Sequence, residues 1–233
     1  MVLPSTEKNS LDLDKELEKL TSLQYHNFSD LSDRKSTVDP TMRHLIRHRL
    51  SAEKQYQGSI LDLAVEDEMK LRAVFNTNSV MMGARKQWGS GVFALYSRIN
   101  HSCIPNVQNS YNATIGKEVV HAIRDIAKGE ELLTSYVHNL RTREQRGEAL
   151  KPYGFKCSCE ACIGPEAEEH EARRQRLFEI DQAIATWSRG NPLLTMLSET
   201  PVPKSDAQAL AFAEELVMLL KKEGLVGMDL ASA

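Results

Sequence analysis

No stretch of this sequence approaches the roughly 20 consecutive apolar residues that cross a bilayer, so no membrane partner is expected. The first ten residues also lack the apolar core of a signal peptide, and the expected setting is nuclear or cytoplasmic rather than secreted. An excess of charge of one sign is missing as well: 29 Lys and Arg stand against 32 Asp and Glu, for a net charge of -3. Without a global basic field, direct nucleic-acid binding is not expected. Cysteine is sparse. Three of the four, Cys157, Cys159 and Cys162, form C-x-C-x-x-C, and Cys103 lies 54 positions before the first of them. In a reducing compartment that usage points to a metal before it points to disulfides. What remains is ordinary globular composition, 41% hydrophobic and 26% charged over 233 residues. That is enough for one sizeable domain with an extension, or for two small domains.

Hydrophobic period separates three regions. Residues 11–23 have helical spacing, with Leu13, Leu17 and Leu20 on one face. Residues 24–40 are polar and read as a loop. Residues 41–56 read as a helix with a cationic face of Arg43, His44, Arg47 and His48, and Ser59 is expected to cap a helix over 60–75. From about residue 76 the texture turns β-branched and short. Segment 91–96 reads as a strand, 106–114 and 118–123 as a hairpin around Gly116, and 132–136 as another strand. Helices are expected again over 141–151, 166–189 and 205–223, the last capped by Ser205. Met81, Met82, Trp88 and Trp187 are candidate core residues.

The cysteine spacing suits zinc. Structural zinc sites are closed tetrahedra of four cysteines, or of cysteines with histidines. C-x-C-x-x-C wraps a short loop around an ion and leaves one corner open, which Cys103 is left to fill. His101 and His170 are rival fourth ligands, and four unrelated buried thiols are the alternative to any site at all. An ion bridging Cys103 to 157–162 would contribute folding energy directly.

A second constellation surrounds Cys103. Arg98-Ile-Asn-His-Ser-Cys-Ile-Pro-Asn106 places Asn100, His101 and Ser102 beside a metal ligand, and Pro105 stiffens the exit. About thirty residues later Gly129-Glu-Glu-Leu-Leu-Thr-Ser-Tyr136 ends an apolar strand on a tyrosine. Its phenol can orient a nucleophile, although a tyrosine so placed is more often packed in a core. NHSC-x-PN, GEE-xx-xSY and F-x-C-x-C-x-x-C, in this order over residues 75–163, resemble the C-terminal half of the SET domain with its post-SET loop. The likeness is to the SMYD-type branch and its fungal SET relatives.

The resemblance implies an α+β SET fold in which the segment of Asn100 and His101 threads against 132–136 in a pseudoknot. It implies a helical segment over 1–75 matching the SET insert, the SET core over 76–152, a post-SET zinc loop over 153–165 and a helical extension over 166–233. It implies S-adenosylmethionine-dependent methylation of a protein lysine, histone or other. Cofactor binding would fall to Asn100, His101 and Ser97, with Phe155 stacking on the adenine. Tyr136 would be the catalytic tyrosine and Tyr153 would line the lysine channel. Zinc, held by Cys103, Cys157, Cys159 and Cys162, would be structural. The glycine-rich strand pair and the MYND-type finger of the family are not found in the sequence. This keeps open a non-catalytic protein-binding module or a truncated pseudoenzyme as the alternative.

Overall fold

The computed structural model describes residues 2–3, 12–34, 38–83 and 89–227; the Trp88 expectation lies outside them. In chain order the elements are β1 (Val2–Leu3), α1 (Asp12–Glu18), α2 (Ser22–Ser29), α3 (Pro40–Ser51), α4 (Ser59–Asn78), β2 (Val80–Met81), β3 (Ser90–Gly91) and β4 (Asn100–His101). There follow β5 (Val107–Asn112), β6 (Lys117–Ala122), β7 (Leu133–Thr134), α5 (Arg143–Leu150), α6 (Glu160–Ile163), α7 (Ala167–Ser188), α8 (Pro192–Met196) and α9 (Asp206–Lys222). Helices and small separate sheets make this an α+β fold. Among the described residues no helix is long and apolar enough to cross a membrane. The chain divides into two units, one of residues 1–99, 110–120 and 152–154, the other of residues 100–109, 121–151 and 155–233.

In the first unit β3 pairs antiparallel with both β1 and β2. One core gathers Leu13, Leu17, Phe28, Leu31, Val74 and Val92, and a second gathers Ile46, Leu50 and Val65. Met82 is fully buried, whereas Met81 on the opposite face of β2 is exposed. The helix expected over 11–23 is broken between α1 and α2, and residues 24–29, expected as loop, are helical and belong to α2. Thr21 and Gln24 form a reciprocal capping box that satisfies free N–H groups at its start, and Phe28 anchors it in the core. The cap of α4 is Gly58, and Ser59 is its first helical residue. The cationic face of α3 is solvated, as expected, and carries surface ion pairs of Arg43 with Glu66 and Arg47 with Asp62, while the partly buried Arg49 pairs with Glu68 and Asp14. Arg72 is buried on α4 and closes this network by donating its Nε to Glu68 at 2.9 Å. The expected strand 91–96 stops at Gly91, because the chain turns at Ala94 and Leu95 into a 3-10 turn over Tyr96–Arg98.

In the second unit α7 and α9 pack through Leu177, Ile180, Leu216, Leu219 and Leu220, with Leu140 and Leu225 completing the core. Helical spacing of these residues gives each helix one apolar stripe. Ser205 caps α9 by accepting the N–H of Gln208. Its end is a Schellman turn, in which Gly224 at φ 71° lets the Leu225 N–H reach the Leu220 carbonyl at 2.9 Å. The turn drives Glu223 inward, where His170, Arg173 and Arg174 surround its carboxylate. The hairpin of β5 and β6, whose residues 110–120 belong to the first unit, forms as expected, with Gly116 at φ 62° in its turn. The short α8 was not foreseen; Asn191 caps it and Pro192 opens it.

Candidate cofactor and metal site

The site lies in the second unit and is organised by β4 and β7. These strands pair in parallel, Asn100 opposite Leu133 and His101 opposite Thr134. This is the threading expected of the two motifs. Asn106 holds the pairing from within. It is fully buried, its Oδ1 accepts the Leu133 N–H at 2.8 Å, and its Nδ2 donates to the Glu131 carbonyl at 2.8 Å and to Glu130 at 3.0 Å. Its backbone N–H reaches the Leu133 carbonyl at 3.0 Å, and Ser102 likewise donates to Thr134 at 2.9 Å. The motif contained Asn106, but nothing in its spacing marked it as the staple between strands.

The parallel pairing sets side chains of the two motifs together. The His101 and Tyr136 rings lie 5.3 Å apart, His101 and Phe155 5.9 Å, and Tyr136 meets Phe155 edge-on at 6.4 Å. The Tyr136 backbone N–H donates to His101 Nδ1 at 3.0 Å. Burial pushes the His101 ring down to about 4, so it is neutral near pH 7. Phe155 keeps over a third of its surface exposed. Asn100 is exposed, and its Nδ2 donates to Glu131 at 2.7 Å. Ser97 and Tyr153 belong to the first unit. The Ser97 hydroxyl donates to the Phe93 carbonyl at 3.0 Å, and Tyr153 is half-buried at the end of a 3-10 turn, where burial raises its phenol above the ordinary value.

The four cysteines converge. Their Sγ atoms all lie within 4.8 Å of one another, with Cys103 at 3.8 Å from Cys157 and 3.7 Å from Cys162. A zinc tetrahedron with bonds of about 2.3 Å has sulfur–sulfur edges of about 3.8 Å, so the donor set fits that ion. Local folding prepares the loop. Cys159 caps the single turn α6, its carbonyl accepts the Cys162 N–H at 2.9 Å, and both cysteines thereby face one side. Glu160 between them is exposed and Ala161 is buried, as the loop requires. Of the rival ligands, His170 is engaged with Glu223, and His101 stands beside the cluster with Nε2 3.5 Å from Cys103 Sγ. Hydrogen bonds among the four thiols pull Cys159 down and push Cys103 up.

Two buried arginines that the sequence reading passed over close on Cys103. Arg146 donates from Nε to its sulfur at 3.2 Å, and Arg174 donates from Nη2 to its carbonyl at 2.7 Å. Each sits in a helix rich in Arg and Glu, where composition indicates a solvated surface. Both are essentially inaccessible. A cation at this position offsets the net negative charge that four thiolates leave around a divalent ion.

These features are those of a SET domain. The SET domain family profile matches residues 5–137, more than half of the chain, and the chain belongs to that family. Among its relatives is the histone-lysine N-methyltransferase set5 of Schizosaccharomyces pombe, 32% identical over 64% of this chain and 51% of that protein. The histone-lysine N-methyltransferase SET5 of Meyerozyma guilliermondii is 40% identical over 47% of this chain and 21% of its own length. The N-lysine methyltransferase SMYD2 of Sus scrofa is 29% identical over 64% of this chain and 35% of its own length. The chain thus spans about half or less of the length of the relatives it matches.

Proposed function

We propose that this chain carries S-adenosylmethionine-dependent methyl transfer to a protein lysine. The observation that carries the reading is the ring cluster of His101, Tyr136 and Phe155 beside the β4 and β7 pairing, in a chain of the SET family. Phe155, which is partly exposed, would stack on the adenine, and Asn100 and His101 would hold the nucleoside. S-adenosylmethionine, when bound, supplies the methyl group as a sulfonium. The Tyr136 hydroxyl would direct the lysine nitrogen into line, in a channel that strips water from the amine. Desolvation favours the neutral, nucleophilic amine over the ammonium.

The four cysteines would bind zinc as a structural ion, since its closed ligand set leaves no corner for a substrate. Within this reading residues 76–152 form the SET core, 1–75 the insert, 153–165 the post-SET loop and 166–233 a helical extension. The names of the fungal relatives make a histone the first substrate to test, and that of the porcine relative makes other proteins the second. The working compartment would be nuclear or cytoplasmic.

The test is calorimetric titration of S-adenosylmethionine into the zinc-loaded chain, followed by methyl transfer to lysine peptides. Micromolar binding with transfer, lost in Tyr136→Phe at an unchanged melting temperature, is the expected result. Cofactor binding without transfer overturns the catalytic reading and leaves a binding module. No cofactor binding at full zinc occupancy overturns both.

A further inference from the structure

His101 has a neighbour at each ring nitrogen, and the two neighbours dictate which nitrogen carries the proton. The Tyr136 backbone N–H is a donor only, so at 3.0 Å it requires a lone pair on Nδ1. The ring proton is then on Nε2. That atom lies 3.5 Å from Cys103 Sγ, within reach of an N–H···S hydrogen bond. A metal-bound sulfur has lone pairs and no proton, so it accepts. The same sulfur takes the Nε–H of Arg146 at 3.2 Å, and Arg174 holds the Cys103 carbonyl at 2.7 Å. Cys103 is therefore fixed from three sides and gives the imidazole a rigid point of attachment.

We propose that His101 is a positioning residue, which carries the placement of the metal-binding Cys103 through its imidazole to the backbone of Tyr136. The metal centre then has a second task besides closing the cysteine loop: by accepting the Nε2 proton that the Tyr136 N–H dictates, it fixes the tilt of His101, and through it the height of the tyrosine past the end of β7. Ring contact reinforces the link, since the two rings are 5.3 Å apart and tilted by 46°. Tyr136 lies two residues past the last paired residue of β7, where the ladder itself no longer fixes the backbone. The importance of that height for reaction rests on the methyl-transfer reading; the link itself does not.

The test uses the 233-residue chain loaded with cadmium-113 in place of zinc and labelled with nitrogen-15. The expected spectrum shows the His101 proton on Nε2, coupled through the hydrogen bond to the cadmium, and an unprotonated Nδ1. Two isosteric variants separate the ends of the link. Asn at position 101 retains an acceptor where Nδ1 stood and loses the reach to sulfur, so His101→Asn should keep the Tyr136 amide protected from hydrogen exchange and lose the coupling. Gln retains a donor near Nε2 and loses the acceptor, so His101→Gln should move the Tyr136 amide signal and speed its hydrogen exchange, which His101→Asn should not. With a lysine peptide, His101→Gln should lower kcat by about tenfold or more, the loss expected when an interaction that orients the reacting groups is removed. A proton found on Nδ1 in the wild-type chain overturns the proposal, as does a Tyr136 amide that ignores His101→Gln. The spectra need no turnover, so a chain that shows the link and transfers no methyl group overturns the proposed function and leaves the link standing.

Discussion

The guanidinium of Arg146 donates from Nε to the sulfur of Cys103 at 3.2 Å, with both side chains out of contact with solvent. Hydrogen bonds to a metal-bound thiolate draw off negative charge, and removal of such outer partners typically weakens metal binding roughly 10–100-fold. Arg146→Met keeps the bulk of the side chain and removes the donor and the charge. It should release zinc to a competing chelator at a free-metal level some roughly 10–100-fold higher than the unaltered chain. An unchanged competition curve would show that the contact is packing alone.

Asn106→Ala should lower stability by about 1–2 kcal/mol, because it removes the buried amide that holds the partly buried Leu133 N–H and Glu131 carbonyl. Denaturant unfolding of the zinc-loaded chain measures this. The register of β4 against β7 depends on the same amide, so the backbone signals of residues 131–134 should shift more than any others.

Glu130 bears on pH. Hydrogen bonds from Arg124, the Ala127 N–H and Asn106 hold its carboxyl at about 2, against an ordinary value of 4.5. A folded value below the unfolded one contributes stability in full above pH 4.5, and that contribution is lost as the pH falls towards 2. A carboxyl-carbon NMR titration of Glu130 should show a midpoint near 2. Arg124→Gln should raise it towards the ordinary value; a midpoint of 4.5 in the unaltered chain would refute the contacts.

Glu223 is a buried carboxylate with three basic neighbours. Burial works against its charge, and hydrogen bonds from His170, Arg174 and Arg173 outweigh it, leaving the group below its ordinary value. Glu223→Ala leaves Arg174 buried without its carboxylate and should cost roughly 3–5 kcal/mol. Thermal melts report the loss. Because Arg174 also holds the Cys103 carbonyl, zinc affinity should fall in the same variant.

Much of the site was legible because it is local or repeated as motif. The cysteine spacing alone described a loop that α6 and its cap realise, and two short motifs thirty residues apart carried the β4 and β7 pairing. Local chemistry was also present at Thr21 and Gln24, yet the segment it caps is polar and buries little beyond Phe28, so hydrophobic period did not reveal α2. The strand expected over 91–96 failed for the opposite reason. Its residues are apolar, but a turn at Ala94 and Leu95 interrupts the ladder after Gly91. The buried arginines were the least accessible to reading. Nothing along a helix distinguishes Arg146 or Arg174 from a surface arginine, and only their partners 43 and 71 positions away bring them inside.

Those separations bear on how the ion is acquired. Three sulfurs of the cluster come from six consecutive residues, whereas Cys103 stands 54 positions from the nearest of them. Closing a long loop is slow and entropically unfavourable, while a short loop can wrap a cation early. If the cluster takes zinc, the ion would enter a three-sulfur cup first. The fourth bond would form once α5 and α7, whose Arg146 and Arg174 hold Cys103, have come together around it. That last coordination event would report completion of this unit, and its rate should follow folding of the C-terminal helices rather than the concentration of metal.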